Sequence, residues 1–408
     1  MFDLNLFLQS TPSLGISCIG LLITGNILEF SIKNKEIKMY PVLLLSNCIL
    51  NFKGNIELLY AMYLSSMRKN SFISYKSYLK YTFDNANLVL FQSIIIGFTV
   101  GIIGISKIVL CGKINSHICT VIMATSLISC FITSLLFIFT LFLTIELSEY
   151  FNIDPDNIIL PCIGTLTDYF SVKFILIFTK KFNQLPEQIL LFYSILSLLI
   201  SPFCLVIILK SKRKMPIQSV EILGFTYILS TISGYLLDHF SDKYSFIASF
   251  FPVYSGLAVS ISYIYLHKIF TSIRNNTEHD KSSSYITLLT ISLCMIISYT
   301  LLSIIIEGKK PLVFYSMFII LFLSQVIILL KIIESLSCRL HYFGGDVGVV
   351  SLPILAAVGD TISTIFLIGL AAINKQHYEF KDNSPALKFK IFIWVVSPFC
   401  LAPSVHAI

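Results

Sequence analysis

The stretch Asp154-Pro-Asp-Asn-Ile-Ile-Leu-Pro161-Cys-Ile-Gly-Thr-Leu-Thr-Asp168 has a partner further along the chain. That partner is Asp346-Val-Gly-Val-Val-Ser-Leu-Pro353-Ile-Leu-Ala-Ala-Val-Gly-Asp360, and the final aspartates lie 192 positions apart (360 − 168). In both, a proline precedes the last aspartate by seven residues and another aspartate precedes it by fourteen. Each closing aspartate falls inside an apolar helical run. A carboxylate at that depth in hydrocarbon costs several kcal/mol and marks function more often than accident. Two such carboxylates at matching places point to a cation path built by duplication.

The solvent follows from composition. Mean hydropathy is +0.84; only 12% of the 408 residues are charged and 56% are hydrophobic. Apolar runs of about twenty residues recur from end to end, each long enough to cross about 30 Å of hydrocarbon. The alternating ten-residue strands of an outer-membrane barrel are absent. The first apolar run reads as a spanning helix rather than a cleaved signal, because the N-terminus is nearly uncharged. The net charge of +7 then concerns membrane topology, and no nucleic-acid partner is expected. The ten cysteines are scattered without metal-ligand spacing, so neither a disulfide framework nor a zinc site is expected.

Eleven spans are expected, at about 13–33, 40–66, 87–110, 118–147, 157–179, 187–210, 217–238, 245–272, 284–306, 311–335 and 349–373. A weaker apolar stretch covers about 389–402. Polar breaks run from Arg68 to Asn85, Lys210 to Lys214, Arg274 to Ser284 and Lys375 to Lys388. Basic residues collect after spans two (Arg68, Lys69, Lys76, Lys80), six (Lys210, Lys212, Arg213, Lys214) and eight (Lys268, Arg274, Lys281). The positive-inside rule assigns those loops, and with them the N-terminus, to the cytoplasm.

The duplication reaches further. Gly25-Asn-Ile-Leu-Glu29 in span one echoes Gly234-Tyr-Leu-Leu-Asp238 in span seven. Each half is therefore five spans, and the sixth span brings the second half in with the orientation of the first. The expected class is an all-α polytopic membrane protein of two parallel five-helix repeats joined by a connecting helix. The first repeat covers 1–180, the connector 181–215, the second repeat 216–375 and a C-terminal segment 376–408. Parallel repeats imply a pseudo-two-fold axis along the membrane normal and a central pathway.

The segment Lys53-Gly54-Asn55-Ile56-Glu57-Leu58-Leu59-Tyr60-Ala61-Met62-Tyr63-Leu64-Ser65-Ser66 resembles the second helix of the solute carrier family 41 magnesium transporters, relatives of the bacterial MgtE channel. That family also opens its fifth helix with a proline-then-aspartate motif, often after Asp-Pro-Asp-Asn, as at residues 154–157 here. The resemblance runs from about residue 14 to 373. It implies a fused pair of MgtE-like membrane domains in which one chain supplies both halves of a pore, so that a monomer serves as a pseudo-dimer. It maps the pore aspartate onto Asp168 and Asp360. It implies Mg²⁺ as the transported ion, moved through a channel or by Na⁺-coupled exchange, in the plasma membrane. The second half departs from the pattern: Val259 and Ser260 stand where Gly-Asn is expected. That departure opens two alternatives, a broader divalent-cation carrier and a non-transporting regulatory homologue.

The candidate ion-binding set is therefore Asp168, Asp360, Asn55, Asp154, Glu57 and Ser260. Mg²⁺ takes six oxygens near-octahedrally and sheds water reluctantly, so carboxylates, amide carbonyls and retained waters suit it. Seven helical residues advance about 10.5 Å and return to nearly the same face. Asp154 would then sit at the cytoplasmic mouth and Asp168 near mid-membrane, although Asp154 equally suits an N-cap with Pro155 behind it. Gly54 and Asn55 suit either close helix packing or pore lining. Glu57 lies about 200° around the helix from Asn55, and Lys53 stands at the i, i+4 spacing for an ion pair with it. Glu29 and Asp238 could line an outer vestibule or be solvated helix ends; Glu146 and Glu149 could join an acidic entrance or a solvated face. No nucleophile–base pair, zinc-protease motif or phosphate loop points to an enzyme.

Overall fold

The computed structural model describes residues 3–34, 36–68, 74–112, 115–150, 163–210, 220–241, 243–244, 246–275, 281–307, 312–342 and 347–379. Among them are eleven helices and no strand. They are α1 (Leu4–Lys33), α2 (Val42–Arg68), α3 (Tyr75–Leu110), α4 (Ser116–Tyr150), α5 (Gly164–Phe182) and α6 (Glu187–Lys210). There follow α7 (Val220–Ser241), α8 (Phe246–Asn275), α9 (Lys281–Glu307), α10 (Leu312–Tyr342) and α11 (Val347–Glu379). Nine are long and apolar enough to cross a membrane; α5 and α7 are the other two. α5 carries Asp168, Lys173, Lys180 and Lys181 within its 19 residues. The protein is thus a multi-pass, all-helical membrane protein. Asp154 and the apolar stretch at 389–402 lie outside the described residues.

Two helices start well before the expected spans. α3 begins at Tyr75, inside the polar break read between Arg68 and Asn85, because that break is amphipathic. Tyr78, Tyr81, Thr82 and Asn85 are buried, a spacing of three, four and seven that puts them on one stripe. α1 begins at Leu4 rather than near residue 13. Asp3 caps it by accepting from the Leu6 amide at 3.0 Å and receives Lys268 Nζ at 2.7 Å.

Two large apolar cores form, beside a small third cluster of Leu28, Leu43, Val172 and Ala248. The first-half core joins α2, α3, α4, α5 and α6; the other joins α8 to α11 and takes in α1 through Leu6, Leu14, Cys18 and Leu21. α1 packs along α8, and α7 packs along both α2 and α11. Each half's first helix is therefore seated on the other half's second helix. α2 and α8 are the most enclosed of the nine, with 83% and 89% of their apolar windows buried against 61% or less elsewhere. α6 lies outside against α3 and α4 and exposes Phe192, Ile195, Leu199, Phe203 and Leu209, as a lipid-facing helix does.

The α1–α8 seam depends on one glycine. A Cβ at Gly25 would stand 2.0 Å from the Ser249 carbonyl oxygen and 2.9 Å from its carbon. Both are backbone atoms, so the helices themselves would have to separate. Overpacking of this kind costs about 1–3 kcal/mol. We predict that Gly25→Ala lowers the thermal midpoint of the purified protein in detergent, whereas Gly15→Ala, with nothing within 4 Å, leaves it unchanged.

Candidate ion-binding cavity

Between α1, α2, α5, α8 and α11 lies a cavity of about 130 Å³. One water needs roughly 10–15 Å³ of such space, so several fit. Its walls include Asn47, Asn51, Asn55, Glu57, Thr165, Asp168, Ser255, Ser260, Tyr263 and Asp360. Five of the six residues singled out from the sequence thus meet around one space.

α2 supplies most of the polar wall. Asn47, Asn51 and Asn55 recur every fourth residue, which stacks them on one face of the helix. Asn47 donates Nδ2 to the Ser230 carbonyl of α7 at 3.2 Å, which fixes its amide, and its buried Oδ1 has no partner among the described residues. Asn51 donates to the Asn47 carbonyl at 3.2 Å and to Asp360 Oδ2. Asn55 is 3% exposed, and its Oδ1 is likewise without a partner among the described residues. A buried carbonyl without a donor is costly, and two of them border the cavity.

The charges fall into a pair and a remainder. Lys53 and Glu57, both 3% exposed, pair at 2.8 Å. Glu57 Oε1 also accepts from Ser134 Oγ at 3.0 Å, and Lys53 Nζ lies 3.4 Å from Ser171 Oγ of α5. The i, i+4 spacing of the two charges therefore closes into an ion pair, and Glu57 is engaged rather than free. Asp168 and Asp360, both half-buried, are left. Asp360 accepts from Asn51 and from Ser255 Oγ. Asp168 makes no hydrogen bond or ion pair among the described residues; the charges acting on it are Lys53, Glu57 and Asp360. With Lys53 and Glu57 paired to each other, the two aspartates have no basic partner among the described residues, and the cavity would carry a charge of −2 with both ionised. Ser260 lines it with a hydroxyl uncommitted among the described residues.

Three further acids named from the sequence are paired elsewhere, and the side chain of Glu149 lies outside what the structure describes. Asp238 meets Lys107 of α3, Glu29 meets Lys33 at 2.8 Å, and Glu146 meets Arg68 at 3.4 Å. These contacts bind helices rather than line the cavity. Asn47 and Asn51 were not anticipated, although their four-residue spacing with Asn55 is visible in the chain. Among the described residues no cluster of three or more His, Cys, Asp or Glu is positioned to hold a metal by itself.

With this geometry in hand, the family comparison is informative. Residues 46–178 match the model of the MgtE divalent cation transporter family. The match spans α2 through most of α5, including Asn47, Asn51, Asn55, Glu57 and Asp168, and it supports cation transport. Searches of curated proteins and of solved structures returned no match to the chain.

The buried pair yields a test. Removing one member strands the other charge in an apolar surround, which costs about 3–5 kcal/mol, whereas replacing both with apolar residues is often neutral. Lys53→Met and Glu57→Leu should each lower the yield of monodisperse protein on size exclusion. The double variant should recover most of it.

Proposed function

We propose that the chain transports Mg²⁺ across the membrane through the cavity between its two halves, with Asp168, Asp360, Asn55, Asn47 and Ser260 facing the ion. The observation that carries this is a pair of aspartates without a basic partner among the described residues, in a space of several waters: once both are ionised, one divalent cation neutralises them. Burial of unpaired charge is otherwise expensive, so the empty cavity is the costly state. The neutral oxygens match the needs of a hard cation that keeps part of its hydration shell. An ion held through waters is bound weakly enough to move on, which conduction requires.

The two-repeat architecture belongs to this proposal. It is supported by the reciprocal seating of α1 on α8 and α7 on α2, the arrangement expected of two parallel five-helix units about a pseudo-two-fold axis. The N-terminus is assigned to the cytoplasm by the basic residues after α2, α6 and α8. The reading of Mg²⁺ rather than Co²⁺ or Ni²⁺ is supported by a lining in which neither histidine nor cysteine occurs among the described residues; imidazole or thiolate ligands would favour the softer metals.

The decisive experiment is Mg²⁺ entry into proteoliposomes, with and without a Na⁺ gradient, for the wild type and Asp168→Asn/Asp360→Asn. The double variant should lose at least about tenfold of the flux, since removing both carboxylates removes the ring that attracts the cation, while eluting as folded protein. Full flux in that variant would refute the path. Dependence on the Na⁺ gradient would select exchange over a channel.

A further inference from the structure

We infer that the two aspartates are not equivalent: Asp360 is a fixed carboxylate positioned by Asn51 and Ser255, and Asp168 alone is free to engage and release the cation. This rests on the transport reading and deepens it. It concerns a division of labour that neither the duplication nor the family match assigns.

Asp360 receives Asn51 from α2 and Ser255 from α8, one on each carboxylate oxygen. Its backbone is held as firmly. The Asp360 carbonyl accepts from Ser233 Oγ of α7 at 3.3 Å. Gln325 of α10, fully buried, donates to the Gly359 carbonyl at 3.2 Å and to Ser363 Oγ at 2.7 Å. Four helices thus hold one turn of α11. Gly359 lets that turn approach α8: a Cβ there would lie 2.6 Å from Val259 Cγ2.

The same positions in the other half offer nothing comparable. With Val259-Ser260 aligned to Gly54-Asn55, Asn51 corresponds to Gly256 and Ser255 to Leu50. Both Gly256 and Leu50 line the cavity, and neither has a side-chain donor. Asp168 accordingly has no hydrogen-bond partner among the described residues. The hydroxyl on its own turn, Thr167, is spent on the Ile163 carbonyl at 2.8 Å. The repeat has therefore diverged at two positions per half, and both changes give donors to Asp360 and withhold them from Asp168.

The physical consequence is an ordered site. A carboxylate already satisfied by two donors must give up hydrogen bonds before it turns toward an ion; one without donors loses none. Asp360 then supplies fixed negative charge, and Asp168 supplies the group that moves with the cation. Asn51 and Ser255 act through Asp360 and are positioning residues.

The test compares half-saturating Mg²⁺ and maximal rate in proteoliposomes for Asp168→Asn, Asp360→Asn, Asn51→Ala and Ser255→Ala. Asp168→Asn should abolish flux, whereas Asp360→Asn, whose amide keeps an acceptor oxygen, should retain at least about a tenth of the maximal rate. Freeing Asp360 by Asn51→Ala or Ser255→Ala should lower half-saturating Mg²⁺ by roughly two- to tenfold, the span of one net hydrogen bond, with a slower maximal rate as release becomes harder. A role confined to packing would lower the rate and leave half-saturation where it is. Equal loss in the two single Asp→Asn variants, or wild-type half-saturation in both donor variants, overturns the inference. Unaltered flux in Asp168→Asn would instead overturn the transport path itself.

Discussion

Two carboxylates without a basic partner among the described residues are the constraint around which the bundle is arranged. Lys53 cancels Glu57, Lys107 cancels Asp238, Arg68 meets Glu146 and Lys268 meets Asp3. Each pair joins two helices or two turns of one helix, and each is what hydrocarbon demands of a charge. Asp168 and Asp360 escape that rule. A stable membrane protein tolerates the exception where a mobile cation completes the balance, which is why the family match at residues 46–178 and the electrostatics point the same way.

The surrounding structure meets the cost of that exception in space and polarity. α2 and α8 are buried deeply enough to reach the middle of the bundle, and their faces toward the cavity carry asparagine, serine and glycine beside Leu50, Leu58 and Val259. Gly359 brings α11 close to α8, within reach of side chains from α2, α7 and α8 that bond Asp360. The polar wall is therefore a consequence of close packing as much as of composition. A larger residue at Gly359 would press on Val259 and push α11 away from α8 and its Ser255 donor.

Much of this was legible in the chain. The long apolar runs announce a membrane bundle because their length is set by bilayer thickness, and the duplicated proline–aspartate spacing isolates the two carboxylates that line the cavity. The pairing of Lys53 with Glu57 could be read from their i, i+4 spacing. The ends of α1 and α3 were less legible, since amphipathic turns beyond a span resemble loops in hydropathy. The Lys107–Asp238 contact could not be read at all, as nothing local links positions so far apart in sequence. Asn47 and Asn51 were visible as a four-residue stripe. Their meaning came only from what faces them: Ser230 of α7 and Asp360 of α11.

The same stripe explains why duplication need not yield two equal halves. Two identical repeats about a central axis would present the ion with two identical carboxylates, each equally free or equally restrained. One exchange of asparagine for glycine and one of leucine for serine break that equality at four positions that all line the cavity. The result is a site with one carboxylate anchored by its neighbours and one answerable mainly to the ion. In the proposed pathway, unequal carboxylates attract a cation with both groups while only one has to rearrange as it passes. In a pathway whose ion gives up water slowly, keeping that rearrangement small favours passage over capture.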